Sequence, residues 1–152
     1  MAETLILGLG NTIMSDDGIG PLVIERVRQD IVLPPGVTLL DGGTLGLDLL
    51  PHLEQVERLI ILDAVETGQP AGTCVRLEGD QVPMALETKL SPHQMGMKDL
   101  LAVAQLMGQL PAEIILLGVQ PQVLEMGTEL SPPVAAAVPM MVTMVKDEIS
   151  AV

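Results

Sequence analysis

The chain contains no phenylalanine, tyrosine or tryptophan, although 48% of its 152 residues are hydrophobic. Without aromatic rings it has no platform on which nucleic-acid bases could stack. Its core must therefore consist of leucine, isoleucine and valine, with ten methionines filling irregular gaps. Cysteine is almost as scarce, because Cys74 stands alone and an intramolecular disulfide is excluded. We predict that Cys74 is a small buried side chain within a strand.

Positive charge is the second shortage. Seven lysines and arginines stand against 20 aspartates and glutamates, which gives a formal net charge of −13. Such a surface repels phosphate groups and argues against nucleic acid or an anionic membrane as a partner; a metal cation or a basic peptide suits it better. No apolar run approaches the roughly 20 residues that span a bilayer, and the N-terminal residues lack the basic start of a secretory signal. We expect a soluble, cytoplasmic protein.

Five apolar runs rich in leucine, isoleucine and valine predict the strands of a sheet that is covered on both faces. These runs span residues 4–9, 37–40, 58–62, 73–77 and 113–119. Helical patterns lie between them, and they predict helices that open at 21–27, cover 46–56, and begin at Ser91 and Ser131. Pro139 is expected to interrupt or kink the last helix.

The alternation of strands and helices predicts a three-layer α/β sandwich that forms a single domain over residues 1–152. One connection breaks the alternation, because only nine residues separate Asp63 from Thr73. That is too short for a helical crossover, so strand four is expected to run antiparallel to its neighbours. Residues 78–90 are then an extended connection that returns the chain across the sheet.

The turn after the first strand excludes two familiar α/β sites. Gly8-Leu9-Gly10 resembles the start of a dinucleotide-binding turn, but Ile13 stands where the third glycine is required. The carboxylates of Asp16 and Asp17 would also repel a pyrophosphate, so we expect no nucleotide cofactor. A response-regulator receiver is excluded as well, since the fifth strand ends in Gly-Val-Gln-Pro without the lysine that such domains require.

Three potential metal ligands stand just past a strand or at the start of a helix, where an open α/β sheet gathers its ligands. They are Asp17, Asp63 and His93, a set that suits a divalent transition metal. Each taken alone has a simpler explanation. Asp16 and Asp17 are also suited to cap the first helix, Asp63 to close a turn, and His93 to cap the third helix or lie at the surface.

The ordered set of motifs resembles the nickel–iron hydrogenase maturation endopeptidases over nearly the whole chain. The matching pieces are Gly8-Leu9-Gly10-Asn11, Asp16-Asp17-Gly18-Ile19-Gly20, Asp41-Gly42-Gly43-Thr44, Asp63-Ala64, Ser91-Pro92-His93-Gln94 and Gly118-Val119-Gln120-Pro121. The resemblance implies a mixed five-stranded sheet with strand four antiparallel and helices on both faces. It also implies that the chain removes a C-terminal extension from the hydrogenase large-subunit precursor after nickel insertion.

The resemblance assigns metal-ligand roles to Asp17, Asp63 and His93. Asp17 stands where the family has aspartate or glutamate. The nickel that these residues recognise is implied to be the ion already held by the precursor, so the substrate supplies the metal.

Further roles fall on the neighbouring motifs. Asp16 and Asp41 join Asp17 as candidate catalytic carboxylates, which would activate water or orient a ligand. The following residues, Gly42, Gly43 and Thr44, are candidate substrate-binding positions. No serine or cysteine nucleophile with a positioned histidine is evident, which favours a metal-polarised carbonyl or a metal-activated water.

Two other functions use the same residues. A non-catalytic nickel-binding checkpoint or assembly chaperone would bind the same precursor without cutting it. An unrelated metal-dependent peptidase would act on free peptides.

Overall fold

The structure is a computed structural model that describes residues 3–43, 46–86 and 97–150. Five strands form one sheet in the order β2-β1-β3-β5-β4. They are β1 (Glu3–Leu9), β2 (Val37–Gly43), β3 (Val56–Ala64), β4 (Cys74–Glu78) and β5 (Glu113–Val119). The first four in the sheet order are parallel, and β4 runs antiparallel to β5. The predicted mixed sheet with strand four antiparallel is therefore confirmed.

Helices cover both faces of this sheet. They are α1 (Ile19–Asp30), α2 (Gln81–Leu86), α3 (Met97–Leu106) and α4 (Pro132–Ser150), together with a 3-10 helix at Gly46–Leu53. On one face, Ile6 of β1 belongs to a core shared with α1 and α4. On the other face, Leu5 and Leu7 belong to a core shared with the 3-10 helix, α2 and α3. The alternation along β1 thus divides two aliphatic cores between the faces of a three-layer sandwich.

Three expectations about secondary structure require correction. The predicted 46–56 helix is the shorter 3-10 helix, which contains Pro51, a residue without a backbone donor. The predicted extended connection contains α2, which buries Val82 and Leu86 at a helical spacing of four. The sequence predicts that Pro139 interrupts or kinks the last helix, and the interruption is wrong, since α4 continues through Pro139. Both Pro139 and Ala135 are exposed, so water can bind the Ala135 carbonyl that lacks an intrahelical donor.

Two further predictions concern single positions. The helix start predicted at Ser91 lies outside the described residues. Cys74 is partly rather than fully buried and packs against the α1–α4 core. Burial raises the pKa of its thiol, which disfavours the reactive thiolate form.

A buried ion-pair cluster joins α4 to the sheet. The Glu148 carboxylate pairs with Arg58 of β3 and Arg76 of β4, and Arg58 Nη1 also donates to the Glu148 carbonyl at 2.7 Å. Burial opposes ionisation of Glu148, but the hydrogen bond from Arg76 and the attraction of both arginines outweigh it and hold its pKa below the ordinary 4.5. The helix is therefore fixed to two strands through one charged residue.

Replacement of Glu148 by glutamine should lower the free energy of unfolding by about 3 kcal/mol at pH 7, because the buried Arg58 would lose its buried partner and keep only its pair with the half-exposed Glu113. A group with a depressed folded pKa stabilises above its unfolded value and loses that effect as the pH falls through the folded value. The difference between wild type and Glu148→Gln should therefore shrink as the pH falls below 4.5. Urea unfolding across this pH range measures it. Glu25→Gln, which breaks an exposed pair with Arg28, is the matched control and should cost less than about 1 kcal/mol.

Candidate functional site

The predicted site residues that the structure describes lie near the carboxyl ends of β1, β2 and β3. The chain leaves β1 for its neighbour β2 and then crosses to β3 on the other side of β1. The order of the strands therefore reverses between β1 and β3, and open α/β sheets bind their ligands outside the carboxyl ends of the strands at such a position. Asp63 is the penultimate residue of β3, while Asp17 lies in a 3-10 turn (Ser15–Gly18) that contacts β3.

Glycines allow the start of α1 to lie directly on these strand ends. A Cβ atom on Gly20 would come within 2.2 Å of the Leu9 carbonyl oxygen and 2.5 Å of the Leu62 carbonyl oxygen. Gly10 has φ of 138°, and a Cβ there would lie 1.8 Å from the Asp17 carbonyl oxygen. The absence of side chains at Gly10 and Gly20 thus allows the Asp17 turn to pack against the carboxyl end of β3.

Asp63 is a buried carboxylate at the end of a central strand. It is 1% exposed, and its Oδ1 accepts a hydrogen bond from the Ala64 backbone N–H at 2.9 Å. It is aligned with Gly118 of β5 in the parallel ladder. Burial of a carboxylate is costly, and the hydrogen bond from Ala64 offsets part of this cost and orients the side chain.

Asp17 is partly exposed, and neither it nor Asp16 is the N-cap residue of the 3-10 turn or of α1. Its Oδ2 accepts a hydrogen bond from the Asn11 N–H at 2.9 Å across the turn. The 3-10 turn follows Met14 and α1 follows Gly18, without a side-chain capping hydrogen bond at either start. The capping explanation for the two aspartates is therefore wrong.

Asp16 is fully buried and faces the segment that follows β5. Its carboxylate accepts hydrogen bonds of 2.7–2.8 Å from the backbone N–H groups of Gln122, Val123 and Ser131 and from the Ser131 hydroxyl. Burial alone would raise the pKa of Asp16, but these hydrogen bonds together lower it. The contacts support a role in positioning the Asp17 turn rather than in proton transfer.

The end of β2 joins the same region. Asp41 is exposed, pairs in register with Gly8, and accepts a hydrogen bond from the Gly43 N–H at 3.0 Å. The Gly43 carbonyl in turn accepts a hydrogen bond from the Gly10 N–H at 2.9 Å. Gly42 is buried and Gly43 partly buried. The remaining predicted substrate-binding residue, Thr44, lies outside the described residues.

Gln120, whose role is not evident from the sequence, fixes the connection after Asp63. Its Oε1 accepts hydrogen bonds from the N–H and hydroxyl of Thr67, at 2.6 and 2.7 Å, and its Nε2 donates to Glu66 Oε2 at 2.9 Å. The signal available is a polar residue placed at the carboxyl end of a buried strand. In the sequence, Gln120 stands out only as part of the Gly-Val-Gln-Pro motif.

The ligand set stays a prediction. Within residues 3–43, 46–86 and 97–150, no three histidine, cysteine, aspartate or glutamate side chains are grouped as a metal site. Asp17 and Asp63 supply two carboxylates near the carboxyl ends of the parallel strands. His93, the third predicted ligand, lies outside these ranges.

Comparison with known proteins identifies the family. The family model of the hydrogenase maturation proteases matches residues 21–148. The chain belongs to the hydrogenase maturation protease family. The family resemblance found from the sequence motifs is therefore confirmed. Within the described part of this family member, no helix combines the length and apolar character that a membrane span requires.

Two sequence relatives and one solved structure are similar over most of this family member. It is 46% identical to the hydrogenase expression/formation protein HupD of Rhodobacter capsulatus, over 90% of this chain and 66% of that protein. It is 38% identical to the hydrogenase 2 maturation protease of Escherichia coli, over 88% of this chain and 82% of that protein. The hydrogenase maturating endopeptidase HybD from E. coli superimposes with a TM-score of 0.92 and 35% identity, covering 98% and 93% of the two chains. The chain thus spans just under two thirds of the HupD relative.

Proposed function

We propose that this family member is an endopeptidase that removes the C-terminal extension of a nickel–iron hydrogenase large-subunit precursor after nickel insertion. The observation that carries the proposal is the placement of Asp17 and Asp63 around the strand ends of β1 and β3 in a chain of this family. The nickel is part of the substrate, so the protein needs no resident metal. Family membership and the similarity to a maturating endopeptidase support proteolysis over the checkpoint role.

The donor set suits a metal ion presented by a substrate. Asp63 lies near the end of a central strand, where the Ala64 N–H donates to its carboxylate. Asp17 accepts a hydrogen bond from the Asn11 N–H, in a turn that packs closely on that strand because the glycines carry no side chain. Carboxylates and an imidazole, here His93, are ligands that nickel accepts. Positions fixed by strands and tight turns cost little reorganisation when the ion arrives.

The metal of the substrate would polarise the scissile carbonyl or lower the pKa of a bound water. The candidate catalytic carboxylates differ in their access to that water. Asp17 is partly exposed and Asp41 is exposed, whereas Asp16 is 0% exposed and its oxygens accept four hydrogen bonds. We assign proton transfer to Asp41 or Asp17, and positioning to Asp16.

Mass-resolved processing of a large-subunit precursor, prepared with and without nickel, tests the proposal. We expect this purified protein to remove the C-terminal extension from the nickel-loaded precursor only. Binding without cleavage would favour the checkpoint, and cleavage without nickel would remove the metal role of Asp17, Asp63 and His93. Equal cleavage of unrelated free peptides would favour a general peptidase.

A further inference from the structure

Residues 121–131 form an irregular segment that is fastened to the Asp17 turn. The Ser15 N–H donates to the Gly127 carbonyl at 2.8 Å, the Gly127 N–H donates to the Ile13 carbonyl at 2.9 Å, and the Asp16 N–H donates to the Val123 carbonyl at 3.0 Å. The buried Asp16 carboxylate adds its hydrogen bonds to the same segment. We call residues 10–18 and 121–131 the paired loops. These bonds fix the backbone of both loops relative to each other.

The paired loops expose apolar side chains beside a candidate ligand. Met126 is 82% exposed, Ile13 53%, Leu124 51% and Val123 36%. Ile13 precedes Asp17 by only four residues and is bonded through its carbonyl to the residue after Met126. Apolar surface on a fixed backbone next to a site is typical of a protein-binding surface.

The charge of the paired loops indicates which residue types the bound segment contains. The paired loops contain no lysine or arginine, and Asp17, Glu125 and Glu129 are at least partly exposed on them. Asp16 does not contribute to this surface, because it is buried. A segment that combines apolar side chains with lysine or arginine would complement both the apolar and the acidic groups.

We propose that the paired loops are the docking surface for an apolar segment of the hydrogenase precursor that is flanked by basic residues. This inference rests on the proposed function, because the precursor must reach Asp17 and the paired loops are continuous with that residue. The methionine and leucine side chains supply contact area that adapts to the segment. Glu125 and Glu129 steer the basic residues and fix the direction in which the segment lies.

The test compares two matched double variants with wild type on the nickel-loaded precursor. Leu124→Ser/Met126→Ser is expected to raise KM about tenfold and leave kcat within about twofold, because docking is weakened while the ligands are untouched. Met84→Ser/Leu106→Ser removes equally exposed side chains, 71% and 88% exposed on α2 and α3, and should leave both constants unchanged. Thermal unfolding of all three proteins checks the fold.

The contribution of charge is tested separately with Glu125→Lys/Glu129→Lys. This variant should have a higher KM than wild type at low salt, and the difference should disappear as the salt concentration increases.

An unchanged KM in folded Leu124→Ser/Met126→Ser would overturn the docking surface while leaving the proposed function intact. If wild type binds the precursor without cutting it, the endopeptidase proposal fails. Precursor binding by surface plasmon resonance then decides docking, with about tenfold weaker binding by the same variant as support and equal binding as refutation.

Discussion

Asp63→Asn is expected to lower kcat/KM for the nickel-loaded precursor by more than about 100-fold. This loss exceeds the one expected when a residue that only hydrogen-bonds to a metal ligand is replaced. Asparagine keeps the size of the side chain and an oxygen that can accept the Ala64 N–H hydrogen bond. It removes the negative charge that would face the nickel. The local structure at the end of β3 should therefore survive while metal recognition does not.

The measurement is the rate of appearance of the shortened precursor, followed by mass spectrometry under single-turnover conditions. Asp30→Asn is the control, because Asp30 is an exposed aspartate at the far end of α1 and its replacement should leave the rate unchanged. Circular dichroism verifies that both variants are folded. Wild-type activity in folded Asp63→Asn would exclude Asp63 from the ligand set.

Gly20→Ala is expected to lower the free energy of unfolding by more than about 4 kcal/mol. In an isolated helix the same change would stabilise by about 1 kcal/mol, since alanine is the better helix former. Here the new methyl group would lie 2.2 Å from the Leu9 carbonyl oxygen and 2.5 Å from the Leu62 carbonyl oxygen. Both are backbone atoms of central strands, so α1 must move away from the sheet and carry the Asp17 turn with it.

Urea unfolding of Gly20→Ala measures this effect, and Gly68→Ala is the matched control. Gly68 has φ of 74°, and a methyl group added there would have open space within 4 Å, so its replacement should cost only about 1 kcal/mol of backbone strain. A Gly20→Ala protein as stable as wild type would mean that α1 does not rest on the strand ends.

The sequence predicts the sheet well because its central strands are continuous apolar runs. Strand five is predicted at residues 113–119, where β5 lies, and the short connection after Asp63 predicts the antiparallel strand four. The errors come from short or mixed signals. Helix α2 has only six residues, which is too short for a clear helical pattern. Whether Pro139 ends α4 depends on whether the Ala135 carbonyl can bind water, which the sequence does not show.

The two adjacent aspartates show what sequence reasoning could not reach. Asp16 and Asp17 have the same side chain and neighbouring positions, so composition and spacing suggest similar candidate roles for them. The structure separates them through contacts that are remote in sequence. Asp16 is bonded to residues 106–115 positions away, whereas Asp17 is bonded to Asn11 across its own turn.

The Asp16 contacts also set the time at which the site can form during protein synthesis. Their donors lie at Gln122, Val123 and Ser131, so the Asp17 turn cannot reach its final shape until residue 131 has left the ribosome. An incomplete nascent chain therefore carries both Asp17 and Asp63 but lacks the bonds that fasten the Asp17 turn. Contacts of such long range carry a large loop-closure cost, so we expect the Asp17 turn to become ordered late in folding.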